Sequence, residues 1–152
     1  MRIIISLILL ASFVSCIQEQ TTQGAVQSAV SPDSLKSISK YILISSGQFA
    51  MGKTIKYSNS KFDLVVNPGN DTVYLCTEDP LFETLEGYKV GMIYSQITPK
   101  DLQSLQMENG WGYYVTTASG WQLGFCEGSS CTDSPPKSNS RVNWIFKRNQ
   151  SY

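Results

Sequence analysis

What most limits the folds open to this chain is a succession of short β-like runs punctuated by turn residues, with one clear helix among them. Val, Ile, Thr, Tyr, Phe and Trp concentrate at 41–45, 62–66, 72–77, 89–94, 112–117, 121–126 and 141–147. Residues of this kind suit a pleated, half-buried strand. Turn signals fall between the runs: NPGND at 67–71, ASG at 118–120, and a long loop at 127–140 that holds Pro135 and Pro136. The helix signal is Thr98 as N-cap, Pro99 at the first helical position, Asp101 three residues after the cap, then Leu102 and Leu105 on one face. A weaker helical turn is expected at 31–39. The expected fold is α+β, mostly antiparallel β with one or two short helices, in a single small domain.

One string competes with that reading. GQFAMGKT, at 47–54, matches the phosphate-loop pattern GxxxxGK[ST] and follows the apolar run KYILIS. A phosphate loop works by wrapping backbone N–H groups around phosphate oxygens, with the lysine reaching the outer phosphates. It also needs a helix that starts at the GK[ST], whose N-terminus supplies free N–H groups and partial positive charge. Here IKYSNSKF follows, a poor helix former, and then the β-like LVV. The next apolar run ends in Asn67-Pro68-Gly69, not in a magnesium-binding aspartate. Gly47, Gly52, Lys53 and Thr54 are therefore taken as a chance match, and no nucleotide is expected.

The N-terminus points out of the cytoplasm. Arg2 forms a short positive region ahead of the apolar stretch 3–10, which is too short to span a bilayer. FVSC, at 13–16, resembles a bacterial lipobox with Phe13 where the strict pattern has Leu. The implied organisation is a lipoprotein-type signal peptide at 1–15, lipidation at Cys16, a flexible tether at 16–34 and a single β-rich domain at 35–150. The implied location is the bacterial cell envelope, anchored through the lipid on an outer membrane or facing the periplasm; secretion without a lipid is the alternative. The 12 Lys and Arg balance the 12 Asp and Glu, so nothing recruits nucleic acid.

Cysteine usage fits export. With Cys16 lipidated, Cys76, Cys126 and Cys131 remain, and three cannot all pair. Cys126 and Cys131 bracket EGSS closely enough for a disulfide in an oxidising compartment, leaving Cys76 as a buried apolar residue. Three scattered thiols and no histidine make a zinc site improbable, and NPGND lacks the oxygen density of a calcium loop, so no metal is expected. The absence of histidine also removes Ser/His/Asp and Cys/His catalysis.

Aligned on Gly52 and Gly91, ISSGQFAMGKTI and ETLEGYKVGMIY share a glycine, a short alternating run and a second glycine. Both are expected to be strands with turning glycines at their ends. The pair, GQFAMGKTI followed by DPLFETLEGYKVG, resembles uncharacterised bacterial envelope lipoproteins, many from Bacteroidota, that carry paired FxIGKTI and TxxGIxVG segments. Tyr88 and Met92 stand where that pattern has Ile and Ser. The resemblance spans 47–125, implies no assigned activity and no cofactor, and makes Gly52-Lys53-Thr54 turn chemistry with Lys53 on the surface.

The remaining candidate site is aromatic. NGWGYYVTTASGWQLGF, at 109–125, brings Trp111, Tyr113, Tyr114, Trp121 and Phe125 together, with Trp144 in the last run. On an exposed sheet face such rings would stack on a glycan or bind an envelope protein; in a hairpin they would equally fill a core. Tyr113 and Tyr114 should face opposite ways, one in the core and one outside. The acids Glu78, Asp79, Glu83 and Glu86 could pair for catalysis but are expected on a solvated face. Two functions stay open: a non-catalytic, membrane-anchored envelope lipoprotein that binds a partner or ligand, and an envelope enzyme or enzyme inhibitor.

Overall fold

The computed structural model describes residues 39–149, which lie within one compact unit, Asp33–Tyr152. The signal peptide at 1–15, the tether at 16–34, Cys16 and the helical turn expected at 31–39 fall outside the described residues, apart from Ser39, which opens the first strand.

Eight strands form one antiparallel sheet: β1 Ser39–Ser45, β2 Gln48–Tyr57, β3 Ser60–Val66, β4 Thr72–Thr77, β5 Gln106–Glu108, β6 Gly112–Thr116, β7 Gln122–Phe125 and β8 Trp144–Arg148. Their spatial order is β1-β2-β3-β4-β8-β7-β6-β5. The domain is dominated by this curled sheet, with a one-turn helix α1, Pro99–Leu102, and a short 3-10 turn, Tyr94–Gln96. The helix begins where its cap residues predict. Thr98 Oγ1 accepts from the Asp101 N–H at 3.3 Å, and Asp101 Oδ2 in turn accepts from Tyr88 Oη at 2.6 Å.

Turn chemistry sets the meanders. Ser58 and Asn59 both take positive φ, 48° and 68°, which matches the twist of a two-residue hairpin between β2 and β3. At 67–71, Asn67 Oδ1 accepts from the Asp71 N–H at 2.8 Å and the Asn67 carbonyl from the Asn70 N–H at 2.9 Å.

Two expectations need correction. The run 89–94 is not a strand: Gly87 and Gly91 take φ of 86° and 88°, and a turn at Val90-Gly91 separates Lys89 and Ile93, each of which makes only an isolated bridge. The segment is stitched to 140–142 by single contacts, including Gly91 N–H to the Val142 carbonyl at 2.8 Å and Val142 N–H to the Met92 carbonyl at 2.8 Å. Nor is Gly52-Lys53-Thr54 a turn. It lies in the middle of β2, and the bend expected there falls at Gly47, φ 66°. Gly52 is needed for close approach: a Cβ would sit 2.4 Å from Ile42 Cδ1 and 2.5 Å from the Leu64 carbonyl oxygen. Strand β5, at the end of the expected helical stretch, is an addition.

Both faces of the sheet are packed. On one, Tyr113, Val115, Leu123, Phe125 and Ile145 are buried under Tyr88, Ile97 and Val142. On the other, Ile42, Val65, Tyr74, Trp111 and Phe146 form a second cluster, joined by Tyr114 and Trp144. Curling makes this second cluster possible. Tyr74 of β4 and Trp111 beside β6 are separated by β8 and β7 in the sheet order, yet their ring centroids are 6.2 Å apart. In a flat sheet three strand spacings would hold them about 14 Å apart. Glu108 of β5 closes the curl at one end, accepting from the Ser46 N–H at 2.7 Å, from the Ser45 hydroxyl and from Arg148 Nη1 at 2.9 Å. The two edge strands therefore meet through side chains and turn backbone.

Candidate binding cleft

The concave side of the sheet holds a cleft of about 340 Å³. Its floor is aromatic and its rim is charged. Tyr74, Trp111 and Trp144 supply the rings, Ile42 and Cys76 further apolar surface, and Lys40, Asp63 and Glu78 the polar groups. Strand register explains the grouping: Cys76 lies opposite Asp63 and Phe146, Gly124 lies opposite Trp144, and Lys40 lies opposite Gly52. Each of these residues sits at the inward parity of its strand.

The indole of Trp144 is the central packing element of the floor. It lies flat against two glycines, so that a Cβ on Gly124 would fall 2.2 Å from its Cε2 and one on Gly112 would fall 3.0 Å from its Cη2. Trp111 stands edge-on to it, centroids 5.8 Å apart, and also edge-on to Phe146 at 5.8 Å. The Arg148 guanidinium lies 5.2 Å from the Trp111 ring centre. Among the described residues, the buried Nε1 atoms of Trp111 and Trp144 and the Nε and Nη2 atoms of Arg148 have no hydrogen-bond acceptor.

At the rim, Lys40 Nζ and Asp63 Oδ1 form an ion pair at 2.7 Å, and Asp63 Oδ1 also accepts from Thr54 Oγ1 at 2.8 Å. A second, adjoining hollow of about 550 Å³ shares Lys40, Asp63, Cys76 and Glu78 and continues to Lys61 and Asp79. The Cys76 thiol is pushed up to about 12 by burial, with Glu78 and Asp63 adding to the effect, so it faces the cleft as an apolar group and not as a nucleophile.

The aromatic residues singled out from the sequence do not form one surface. Trp111 and Tyr114 belong to the concave layer, whereas Tyr113 is buried in the other cluster and Trp121 packs with Phe82 at 4.8 Å and Phe62 at 6.3 Å. Tyr113 and Tyr114 do face opposite ways, but Tyr114 meets Phe146 at 5.8 Å instead of lying outside. The sheet has two cores, so neither parity is solvated there. The sequence offered no argument for Lys40, Asp63 or Ile42. Their grouping depends on the β1–β2–β3 register, which the strand expected at GQFAMGKTI did not by itself supply.

Gly47 is an exposed turn residue, and Gly52, Lys53 and Thr54 run along one extended strand, with Lys53 exposed and Thr54 bonded to Asp63. This is not the loop-then-helix geometry that a phosphate cradle requires. The acidic residues are each held separately. Asp79 Oδ2 and Oδ1 accept from the Lys61 and Leu81 N–H groups at 3.1 and 3.0 Å, and Glu83 pairs with Lys89 at 2.7 Å. Glu86 accepts from the Ser119 N–H at 2.6 Å and the Ser119 hydroxyl at 2.9 Å. Burial pushes the Glu86 carboxyl up, but these hydrogen bonds outweigh it and hold the group at about 2. Among the described residues, no three His, Cys, Asp or Glu side chains cluster closely enough to hold a metal ion, and no helix is long and apolar enough to cross a membrane.

Cys126 and Cys131 lie at disulfide distance at the base of the loop that leaves β7. Inside it, Asp133 Oδ2 accepts from the Ser129 N–H at 2.8 Å, and Asp133 also accepts from the Ser130 hydroxyl. Gly128, at φ 76°, leaves space for that carboxylate: a Cβ would fall 2.0 Å from Asp133 Oδ2. Cys131 also borders the cleft, which ties the loop to its edge.

No family model and no curated protein matches the chain. Among solved structures the fold is similar to the crystal structure of the uncharacterised protein YfeY from Escherichia coli. The two share 16% identity at a TM-score of 0.50, covering 74% of this chain and 80% of that one. A likeness at this identity shows the fold alone.

Proposed function

We propose that this chain is a non-catalytic, lipid-anchored protein of the bacterial cell envelope that holds a saccharide unit of an envelope glycan in its concave cleft. One observation carries the binding reading: an open hollow with rings on its floor and paired charges on its rim. Sugar rings present apolar C–H faces that stack on indoles and hydroxyls that bond carboxylates and ammonium groups. The lipobox-like FVSC, the short apolar leader and the resemblance to envelope lipoproteins support the location. Separately held carboxylates and the lack of histidine favour binding over the enzyme or inhibitor alternative.

Titration with soluble cell-wall glycan fragments tests this, because Trp111 and Trp144 report from the cleft. A saturable fluorescence change is expected. Asp63→Asn should weaken binding by about tenfold or more, the usual size of one charge-assisted hydrogen bond. A flat titration, with no rise in melting temperature, would remove the saccharide reading.

A further inference from the structure

The binding cleft is bordered by four consecutive residues of β1: Lys40, Tyr41, Ile42 and Leu43. Successive side chains of a strand point to opposite faces, so a hollow that meets four in a row runs along the strand's edge. That edge is unpaired. β1 stands first in the sheet order and bonds β2 alone, in a register that runs from Lys40 opposite Gly52 to Leu43 opposite Phe49. Alternate residues of an antiparallel strand turn their N–H and C=O to the side away from the partner. Among the described residues, no backbone group outside β2 bonds those of 40–43.

The cleft is therefore the unclosed part of a seam in the curled sheet. At one end the seam is shut, where Glu108 of β5 accepts from the Ser46 N–H at 2.7 Å and from the Ser45 hydroxyl. From Leu43 back to Lys40 the hollow borders β1, and Trp111, Trp144 and Cys131, from the far half of the sheet order, line it as well. The adjoining hollow of about 550 Å³ shares Lys40, Asp63, Cys76 and Glu78 with it, so a ligand of two unlike parts need not crowd both into one space.

We infer that the open edge of β1 takes a short extended peptide carried by the glycan; this rests on the saccharide reading of the cleft only for what carries the peptide. A row of unpaired backbone groups recognises another extended backbone, whose N–H and C=O recur at the same spacing, and a sugar has no such repeat. The shut end sets the length. An open edge of four residues, stopped at Ser45, takes a peptide with a free end and not the middle of a long protein strand. Side chains at every second position of that peptide face the concave layer, where Trp111, Trp144 and Ile42 favour apolar groups.

The test uses the full chain carrying Cys16→Ser, titrated with a soluble disaccharide of cell-wall glycan, the same disaccharide bearing its peptide, and that peptide alone. The peptide-bearing probe should bind about tenfold or more tightly than the bare sugar, and N-methylation of the peptide's backbone amides, which deletes the strand-pairing donors, should remove the gain. Amide exchange at 40–43 should slow with the peptide-bearing probe and not with the bare sugar. Equal affinity of the two sugars, or full tolerance of N-methylation, would overturn the proposal and keep the saccharide reading. Binding of the free peptide and the peptide-bearing probe, with none of the bare sugar, would keep the paired edge and remove the saccharide. Failure of every probe removes both. Exchange at 40–43 that is already as slow in the free protein as in the paired β3 would also overturn the proposal, assigning the edge to a second copy where the protection grows with protein concentration and to the chain's own leading segment where it does not.

Discussion

Gly124 has no room for a side chain, because the Trp144 indole occupies the place where its Cβ would be, within 2.2–2.6 Å. Neither indole nor backbone can move without disturbing Trp111 and Phe146, so Gly124→Ala should destabilise the domain by about 1–3 kcal/mol, the usual range for an overpacked core. The check is the chemical-denaturation midpoint, with near-ultraviolet circular dichroism following the indole. Lys53 is the opposite case. Its side chain is exposed on the outer face of β2 and has no ion-pair partner among the described residues. Lys53→Ala should change stability by no more than about 0.5 kcal/mol, and Mg-ATP should leave the melting temperature of the parent unmoved. A ligand at one hundred times its dissociation constant adds about 2.7 kcal/mol, so even a moderate nucleotide site would be visible. At this scale the sequence exposed what is local. Thr98 and Asp101 showed the cap because capping acts over three residues, whereas the need for glycine at 52, 112 and 124 comes from distant neighbours and is invisible in a string.

Elements are joined by a few polar contacts whose strength depends on pH. Glu86 ties the turn before Tyr88 to Ser119 in the β6–β7 turn, and Lys147 Nζ donates to the Ser119 carbonyl at 3.0 Å. The folded Glu86 carboxyl, at about 2, lies below its ordinary 4.5. Its contribution is therefore complete above about 4.5 and is lost as pH falls through about 2. Ser119→Ala removes the hydroxyl bond, should destabilise by about 1 kcal/mol at neutral pH, and should differ progressively less from the parent as pH drops below about 4.5. Denaturation of both proteins across that interval checks the sign. The loop after β7 gives a second prediction at this scale. A Cys126–Cys131 bond closes so small a ring that it should restrain the loop more than stabilise the domain, by on the order of 2 kcal/mol. Reduction should speed amide exchange at 127–140 and leave the β-sheet signal intact, and alkylation under denaturing conditions should mark Cys76 alone in the unreduced protein. Alternation and turn residues located β1, β3, β4, β6 and β7 to within a few residues. They failed at 89–94, where β-like residues pack against the core from an irregular segment broken at Gly91, and at β5, whose three residues carry no pattern.

At the scale of the molecule, a meander of antiparallel strands was legible, but its closure was not. Nothing local to Glu108 announces that it will meet Ser45 and Ser46, which are more than sixty residues away. That contact is a property of sheet curl, and the cleft exists because of the same curl. Burial pushes the Glu108 carboxyl up, but the Ser45, Ser46 and Arg148 bonds outweigh it and hold it below its usual range, so the closure is made by a carboxylate. The function proposed above joins this cleft to an envelope membrane through a lipid on Cys16, with the aromatic hollow taking a saccharide of envelope glycan. Lipid on Cys16 is what would hold the domain at the membrane. Labelled palmitate supplied to cells expressing the full chain should enter the parent protein and be absent from Cys16→Ser; a parent that takes up no label, or a variant labelled equally, would contradict the account.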